Sequence, residues 1–288
     1  MTHTLRAALW MIGAITAFTS MAVAGRAAAS NLDTFEIMLY RSLVGILIVL
    51  VAGSFAGTLG QIRPDKLRLH LMRNAAHFTG QNLWFYAITV IPVAQVFALE
   101  FTTPIWVIIL SPLLLGERIT KIGGIAALMG FVGILIVARP DPNALNAGIV
   151  AAALCAIAFA LTAIATRKLT RTETITCIMF FLTTIQGAFG LIFAGFDGDI
   201  ALPNAQTLPW VILIGVAGLI AHFCITKALS IAPASIVMPI DFARLPVIAV
   251  VGIILYNEPV DVLIFLGGAL IFFGNYLNIA FGQAKSGR

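Results

Sequence analysis

Ten apolar runs parted by short polar breaks cover this chain almost from end to end. Each is close to the roughly 20 residues an α-helix needs to cross bilayer hydrocarbon. They lie at about 5–25, 33–54, 69–90, 93–113, 120–138, 147–166, 173–194, 209–230, 234–255 and 260–281. Breaks such as GQIRPDK, LGERITK, RPDPNALN and FDGDIALPNAQTLP carry the Gly, Pro, Asn and Asp of turns. Only 10% of the 288 residues are charged and 60% are hydrophobic, whereas a soluble domain carries about 25% charged residues. The deficit extends over the whole length, so no soluble domain can be cut out of it. Ten-residue strands of alternating hydropathy are absent, which excludes an outer-membrane barrel. The fold class is an all-α integral membrane protein with ten transmembrane helices.

An internal repeat organises those helices. Displacing the sequence along itself by 141 positions, the distance from Glu117 to Glu258, lays YAITVIPVAQVFALEFTTPIWVIILSPLLLGE over KALSIAPASIVMPIDFARLPVIAVVGIILYNE without a gap. Ala87 then meets Ala228, Pro92 meets Pro233, Val96 meets Val237 and Phe101 meets Phe242. The same displacement pairs Phe18 with Phe159, Arg26 with Arg167 and Met38 with Met179. The first apolar run, with its early Arg6 and small residues near AVA, could pass for a signal peptide. Its counterpart deep inside the chain argues that it is retained as a helix. The chain is read as a single transmembrane domain, 1–288, with repeat one at about 5–140 and repeat two at about 146–281.

Five helices per repeat is an odd number, so the second copy is expected upside down relative to the first. With the amino terminus inside, the cytoplasmic segments hold Arg6, Arg63, Lys66, Arg68, Arg73, Arg118, Lys121, Arg167, Lys168, Arg171, Lys285 and Arg288. The outer segments hold only Arg26 and Arg139, so both termini are expected in the cytoplasm. The net charge of +5 is this topology signal and calls for no nucleic-acid partner. Inverted repeats related by a pseudo-two-fold in the membrane plane are a transporter construction, with substrate held near the midplane in a central cavity.

Charges within the apolar runs are the candidate site residues, because a buried intramembrane charge is costly and calls for a reason. Glu100 stands between Leu99 and Phe101, and its repeat-mate is another acid, Asp241, with Arg244 one helical turn further on. The two acids read either as a substrate-amine or proton site, or as a structural pair that tethers helices. Arg73, His77, Gln81 and Trp84 follow at spacings that share one helical face. That face suits a cavity lining, with interhelical hydrogen bonding as the alternative; Arg73, near the cytoplasmic end, reads as a topology charge. His222 could relay protons or be a satisfied bundle histidine. Gln95, Trp10, Phe18, Tyr40 and Tyr86 complete the cavity candidates, as an aromatic cage with hydrogen-bonding groups for a partly apolar zwitterion. Glu117 and Glu258 read as turn residues at helix ends. Glycines in GGIAALMGFVG and GGALIFFG allow close helix approach.

No catalytic residue, metal site or cofactor is indicated. The chain has no GxxxxGK[ST] run for ATP, and no HExxH or GxSxG motif. Cys155, Cys177 and Cys224 fall in apolar runs without metal-ligand spacing.

The segment NLWFYAITVIPVAQVFALEFTTPIWVIILSPLLLGERITKIGGIAALMGFVGILIV resembles the first repeat of the drug/metabolite transporter superfamily, EamA type. KALSIAPASIVMPIDFARLPVIAVVGIILYNEPVDVLIFLGGALIFFGNYL resembles the second, and Arg41 in MLYRSLVGILIVL resembles an arginine such proteins carry in helix two. YNEP in place of Gly-Glu, and ARLP with its proline shifted by one, depart from the pattern. The resemblance implies ten helices around a central cavity. Within the superfamily the chain is most similar to bacterial YddG-type exporters of aromatic amino acids. The expectation is therefore a multi-pass secondary transporter of the bacterial inner membrane, not an enzyme, exporting amino acids by alternating access. A drug or nucleoside/purine exporter of the same fold is the alternative, and a channel-like pore or membrane enzyme is the reading from another class. The expected partners are a small-molecule substrate and the lipid bilayer, with the protein a monomer and a dimer left open.

Overall fold

The computed structural model describes residues 2–28, 32–91, 96, 99–117, 119–138, 146–196, 198–256 and 262–281. Among these residues every regular element is helical and none is a strand. In chain order they are α1 (His3–Ala28), α2 (Thr34–Phe55), α3 (Leu67–Val90), α4 (Thr103–Leu115), α5 (Lys121–Ala138), α6 (Ala147–Leu169), α7 (Ile175–Ala194), α8 (Leu208–Ile231), α9 (Arg244–Tyr256) and α10 (Val262–Phe281). A helical turn at Ala234–Val237 and a 3-10 segment at Met238–Ala243 lead into α9.

Local chemistry sets the helix ends. Asp33 caps α2 through a capping box, in which Glu36 N donates to Asp33 Oδ1 and Asp33 N donates to Glu36 Oε2, both at 2.8 Å. Thr174 accepts from Cys177 N to start α7. Gly116 ends α4 with φ 68°, a left-handed conformation open to a residue without Cβ.

Among the described residues five helices, α1, α2, α6, α7 and α8, are long and apolar enough to cross a membrane. Three of the other expected spans, α3, α4 and α9, differ for identifiable reasons. α3 has the length, but His70, Arg73, Asn74, His77 and Gln81 make it too polar. α4 and α9 are only 13 residues long because both expected runs are broken, by a turn at Phe101 and Thr102 before α4 and by the 3-10 segment Met238–Ala243 before α9.

Helix limits follow the internal repeat. The 141-residue displacement carries Leu67–Val90 onto 208–231, the limits of α8, and Thr103–Leu115 onto 244–256, the limits of α9. Regular helix thus restarts at matching places, Thr103 and Arg244, although the break before the first is a turn and that before the second a 3-10 segment.

The chain divides into two compact units. The first comprises Met1–Met11, Thr79–Ile164 and Ala228–Arg288. In it α5 packs on its repeat-mate α10. A Cβ on Gly133 would come within 2.7 Å of the Gly267 carbonyl oxygen, and one on Gly274 within 3.0 Å of the Ala126 carbonyl oxygen. Gly133 and Gly274 are repeat-mates, as are Ala126 and Gly267, so the contact is reciprocal. Moving down α5 moves the contact up α10, so the two helices run antiparallel.

The second unit comprises Ile12–Phe78 and Ala165–Lys227. Here α2 packs on its own repeat-mate α7, with Gly45 against Thr183 and Leu39 against Gly190. These helices are antiparallel too. Tyr40 and Glu36 tie α2 to the segment before α8: the Tyr40 hydroxyl donates to the Ala201 carbonyl at 2.7 Å, and Ala201 N donates to Glu36 Oε1 at 2.6 Å.

Candidate functional site

In the first unit, the interruption before α4 is closed by threonines. Thr102 Oγ1 donates to Leu99 O, and Thr103 Oγ1 donates to Glu100 O, both at 2.6 Å. Hydroxyls thereby satisfy carbonyls that a continuous helix would have bonded, as irregular backbone at membrane depth requires. Pro104 then occupies the first turn of α4, where a missing N–H does no harm. Before α9, Pro239 lies in the 3-10 segment, and Asn275 Nδ2 donates to Ile240 O at 3.4 Å.

These two interruptions deliver the charges. Arg244 Nη2 donates to Glu100 Oε1 at 2.7 Å and to Asp241 Oδ2 at 3.1 Å. Trp84 Nε1 donates to the other Glu100 oxygen at 2.7 Å. The Arg244 guanidinium also sits 4.9 Å from the centroid of the Phe101 ring, within cation–π range. Phe101 and its repeat-mate Phe242 are both buried, in one cluster with Ile134, Leu245 and Ile271. One guanidinium therefore faces two carboxylates in an apolar surround, leaving a formal charge of −1. Asp241 Oδ1 is buried without a hydrogen-bond partner among the described residues.

The second unit holds a group of opposite sign. His77 on α3 meets His222 on α8 edge to face, with ring centroids 4.8 Å apart, and Phe18 on α1 meets His222 at 5.6 Å. Arg73 is almost wholly buried, at 1% exposure. It donates from Nε to Thr166 Oγ1 at 3.1 Å and from Nη1 to Asn74 Oδ1 at 3.0 Å. Gln186 Nε2 donates to the Asn74 carbonyl at 2.9 Å. A small cavity in the same unit is lined by Arg41, Ser42, Thr183, Gln186, Gly218 and His222.

The sequence-derived candidates are thus dispersed. Trp84, Glu100, Asp241 and Arg244 form one network, and Phe18, His77 and His222 form an aromatic group. Gln81 is buried, with its Oε1 lacking a hydrogen-bond partner among the described residues. Trp10 is half-buried on α1. Tyr86 is 46% exposed, and the Tyr40 hydroxyl donates to the Ala201 carbonyl. Gln95 lies outside the described residues, as does Glu258. Glu117 does more than end a helix, because its Oε2 accepts from Ala234 N at 3.0 Å and so starts the turn leading to α9.

Arg73 is the clearest correction, since a buried guanidinium is no charge at the water boundary. Arg73 is buried and Arg41 lines the small cavity, and sequence reasoning proposed neither as a cavity residue. The signal was available for Arg41: it stands inside an apolar run, the argument already applied to Glu100. For Arg73, position near a span end concealed its burial.

Tertiary structure also assembles a donor group that spacing could not suggest. His70, Glu173 and Cys177 place one ligand atom each within 4.8 Å of one another. Together they could hold a metal, although Cys177 Sγ already donates to Glu173 Oε2 at 3.2 Å.

The comparisons with known proteins agree on the family. The model of the EamA-like transporter family matches twice, over residues 5–139 and 146–280. The chain belongs to the EamA-like transporter family. Among its EamA relatives, a riboflavin transporter of Vibrio cholerae is 28% identical over 97% of this chain and 93% of its own length. A riboflavin transporter of Brucella anthropi is 29% identical over 91% and 94%. An S-adenosylmethionine uptake transporter of Rickettsia conorii is 24% identical over 96% and 93%. A protein of known crystal structure shares the fold, with a TM-score of 0.81, 18% identity and 96% of each chain covered. Family and relatives are transporters and not enzymes, and these EamA relatives carry names other than aromatic amino-acid exporter.

Proposed function

We propose that this EamA-family protein is an alternating-access uptake carrier for a small ring-bearing metabolite of the riboflavin or S-adenosylmethionine class. The observation that carries the reading is the Trp84–Glu100–Arg244–Asp241 network, set at two interruptions that match under the repeat. Interrupted helices at matching places of two repeats mark the binding region of secondary transporters. Substrate class and direction come from the relatives' names. Amino-acid export, the expectation from sequence, lacks that support and is set aside as the weaker reading.

The reciprocal, antiparallel packing of α5 on α10, and the antiparallel packing of α2 on α7, support an inverted repeat about a pseudo-two-fold. Each repeat can then adopt the shape its twin holds, which is how one fold supplies two access states. Under this reading the protein lies in a bacterial inner membrane with both termini in the cytoplasm. The surplus negative charge of the network makes Glu100 and Asp241 the groups that accept a proton during the cycle.

Purified protein in liposomes, given radiolabelled riboflavin, S-adenosylmethionine, tryptophan and a nucleoside with and without a pH gradient, tests this. Saturable riboflavin or S-adenosylmethionine flux, accelerated by the gradient and insensitive to it in Glu100→Gln, is the expected result. Flux of tryptophan alone would restore the amino-acid reading, and unsaturable flux would indicate a pore.

A further inference from the structure

His70 is wholly buried in the first turn of α3, and neither of its ring nitrogens has a hydrogen-bond partner among the described residues. An imidazole so placed is unfavourable unless something supplies the missing bond. Its ring packs on Phe181 of α7, with centroids 4.5 Å apart, and Asn74 Nδ2 donates to the Phe181 carbonyl at 3.3 Å. The early turns of α3 and α7 are thus in contact where His70 stands.

Two more metal-ligating side chains meet His70 there. Glu173 and Cys177 are one helical turn apart, either side of the Thr174 cap of α7. One ligand atom from each of the three residues lies within 4.8 Å of the others. For atoms so spaced, some point lies within about 2.8 Å of all three (4.8 Å divided by √3), and zinc bonds to S at about 2.3 Å and to N or O at about 2.0–2.2 Å. Each ligand therefore closes on an ion by less than about 1 Å, and no wider cavity is needed.

The bond already present in the group favours this reading. Cys177 Sγ donates to Glu173 Oε2 at 3.2 Å, and a tetrahedral zinc would hold the same two atoms about 3.5 Å apart. The shared proton occupies the place a cation would take, so a metal replaces that proton and strands neither group. A thiolate and a carboxylate neutralise a divalent ion, and a neutral imidazole adds no charge, which removes the main cost of burying it. Thiolate with imidazole suits zinc and disfavours magnesium or calcium. Glu173 is half-buried between exposed Thr172 and Thr174, which gives an entry path. Water or the Arg63 carbonyl, which accepts from Cys177 Sγ at 3.5 Å, can take a fourth position.

We infer that His70, Glu173 and Cys177 form a transition-metal site of the zinc class, which clasps the start of α3 to the start of α7. On binding, the Cys177 S–H bond breaks, its proton leaves to solvent and a sulfur–metal bond forms; nothing is oxidised or reduced. The ion is a structural clamp within the second unit, independent of what the protein transports.

The full chain in lipid nanodiscs, given Co²⁺ alone or Zn²⁺ alone, tests this. Cobalt should produce the near-ultraviolet charge-transfer band of a thiolate–metal bond, and added zinc should displace it. About one zinc per chain should survive desalting and raise the unfolding temperature. Cys177→Ser should lose the band, and Cys177→Ser, Glu173→Gln and His70→Gln should each weaken zinc binding at least tenfold. The double variant Cys155→Ala with Cys224→Ala should keep both band and affinity, which places the bond at Cys177. No band in the wild type, a band lost in that double variant, or a band surviving in Cys177→Ser would each overturn the assignment. Zinc that binds without raising the unfolding temperature would overturn the clamp. The wild-type spectrum is decisive without the ligand variants, so a variant that fails to fold leaves the test intact.

Discussion

Glu100 and Arg244 stand 144 positions apart in the chain and 2.7 Å apart in the fold, joining the interrupted segment of one repeat to the start of regular helix in the other. The arginine belongs to one repeat alone, since Thr103 takes the equivalent place. The two acids are common to both copies while their counter-charge is not. The site is thus asymmetric within a symmetric frame.

Removing Glu100 takes a hydrogen-bond acceptor from Trp84 Nε1 and one of two carboxylates from Arg244. Glu100→Ala is expected to destabilise by about 2–4 kcal/mol, near the low end of breaking a buried pair because Asp241 remains. Glu100→Gln, which keeps an acceptor, should lose about 1 kcal/mol. Thermal unfolding by size-exclusion fluorescence reads both. The double substitution Glu100→Ala with Arg244→Ala should lose less than the sum of the singles; strict additivity would mean that the pair is not coupled.

Close approach of α5 to α10 depends on two repeat-mate glycines. Gly133→Val and Gly274→Val should each destabilise by about 1–3 kcal/mol, because the added side chain meets backbone carbonyls that cannot yield. Gly124, on the same helix with open space around it, supplies the control. Gly124→Ala should be neutral or stabilising by up to about 1 kcal/mol from helix propensity. Equal melting losses at all three positions would contradict the packing described.

Glu36 serves two backbone donors, Asp33 N and Ala201 N. Glu36→Ala therefore loses a capping-box member and a loop tether, at about 1–2 kcal/mol. Hydrogen exchange should quicken both at the start of α2 and near Ala201. Quickening confined to α2 would show that the tether does not operate in the membrane.

Orientation can be checked with thiol reagents, since Cys155, Cys177 and Cys224 are all buried. In a background lacking them, Thr172→Cys should react with an impermeant maleimide only from the cytoplasmic side. Ala205→Cys, in the segment before α8, should react only from outside. The reversed pattern would invert the topology argued from charge.

What could be read from sequence were the features with local signatures. Apolar runs of spanning length, the 141-residue displacement and the acid at matching places are all patterns of spacing. Helix limits then obeyed the displacement at α3 and α8, and at α4 and α9. The family was legible for the same reason, because its motifs lie in continuous stretches. Partner choice was less legible. The reading offered Asp241 as the neighbour of Arg244, one turn away, while the shorter bond goes to Glu100. Trp84 was placed on a polar face of α3, yet nothing in its spacing pointed to Glu100.

The sequence alone determined that this chain is a bundle of membrane helices built twice from one plan, because hydrocarbon thickness and helical rise convert residue counts directly into spans. Only the tertiary structure decided where the interior charges go. Among the described residues Arg244 pairs with two carboxylates, whereas Arg73 bonds to Thr166 and Asn74, a difference that the spacing of neither arginine showed. Compensation depends on which side chains distant segments bring within a few ångströms, and a one-dimensional pattern holds no record of that distance.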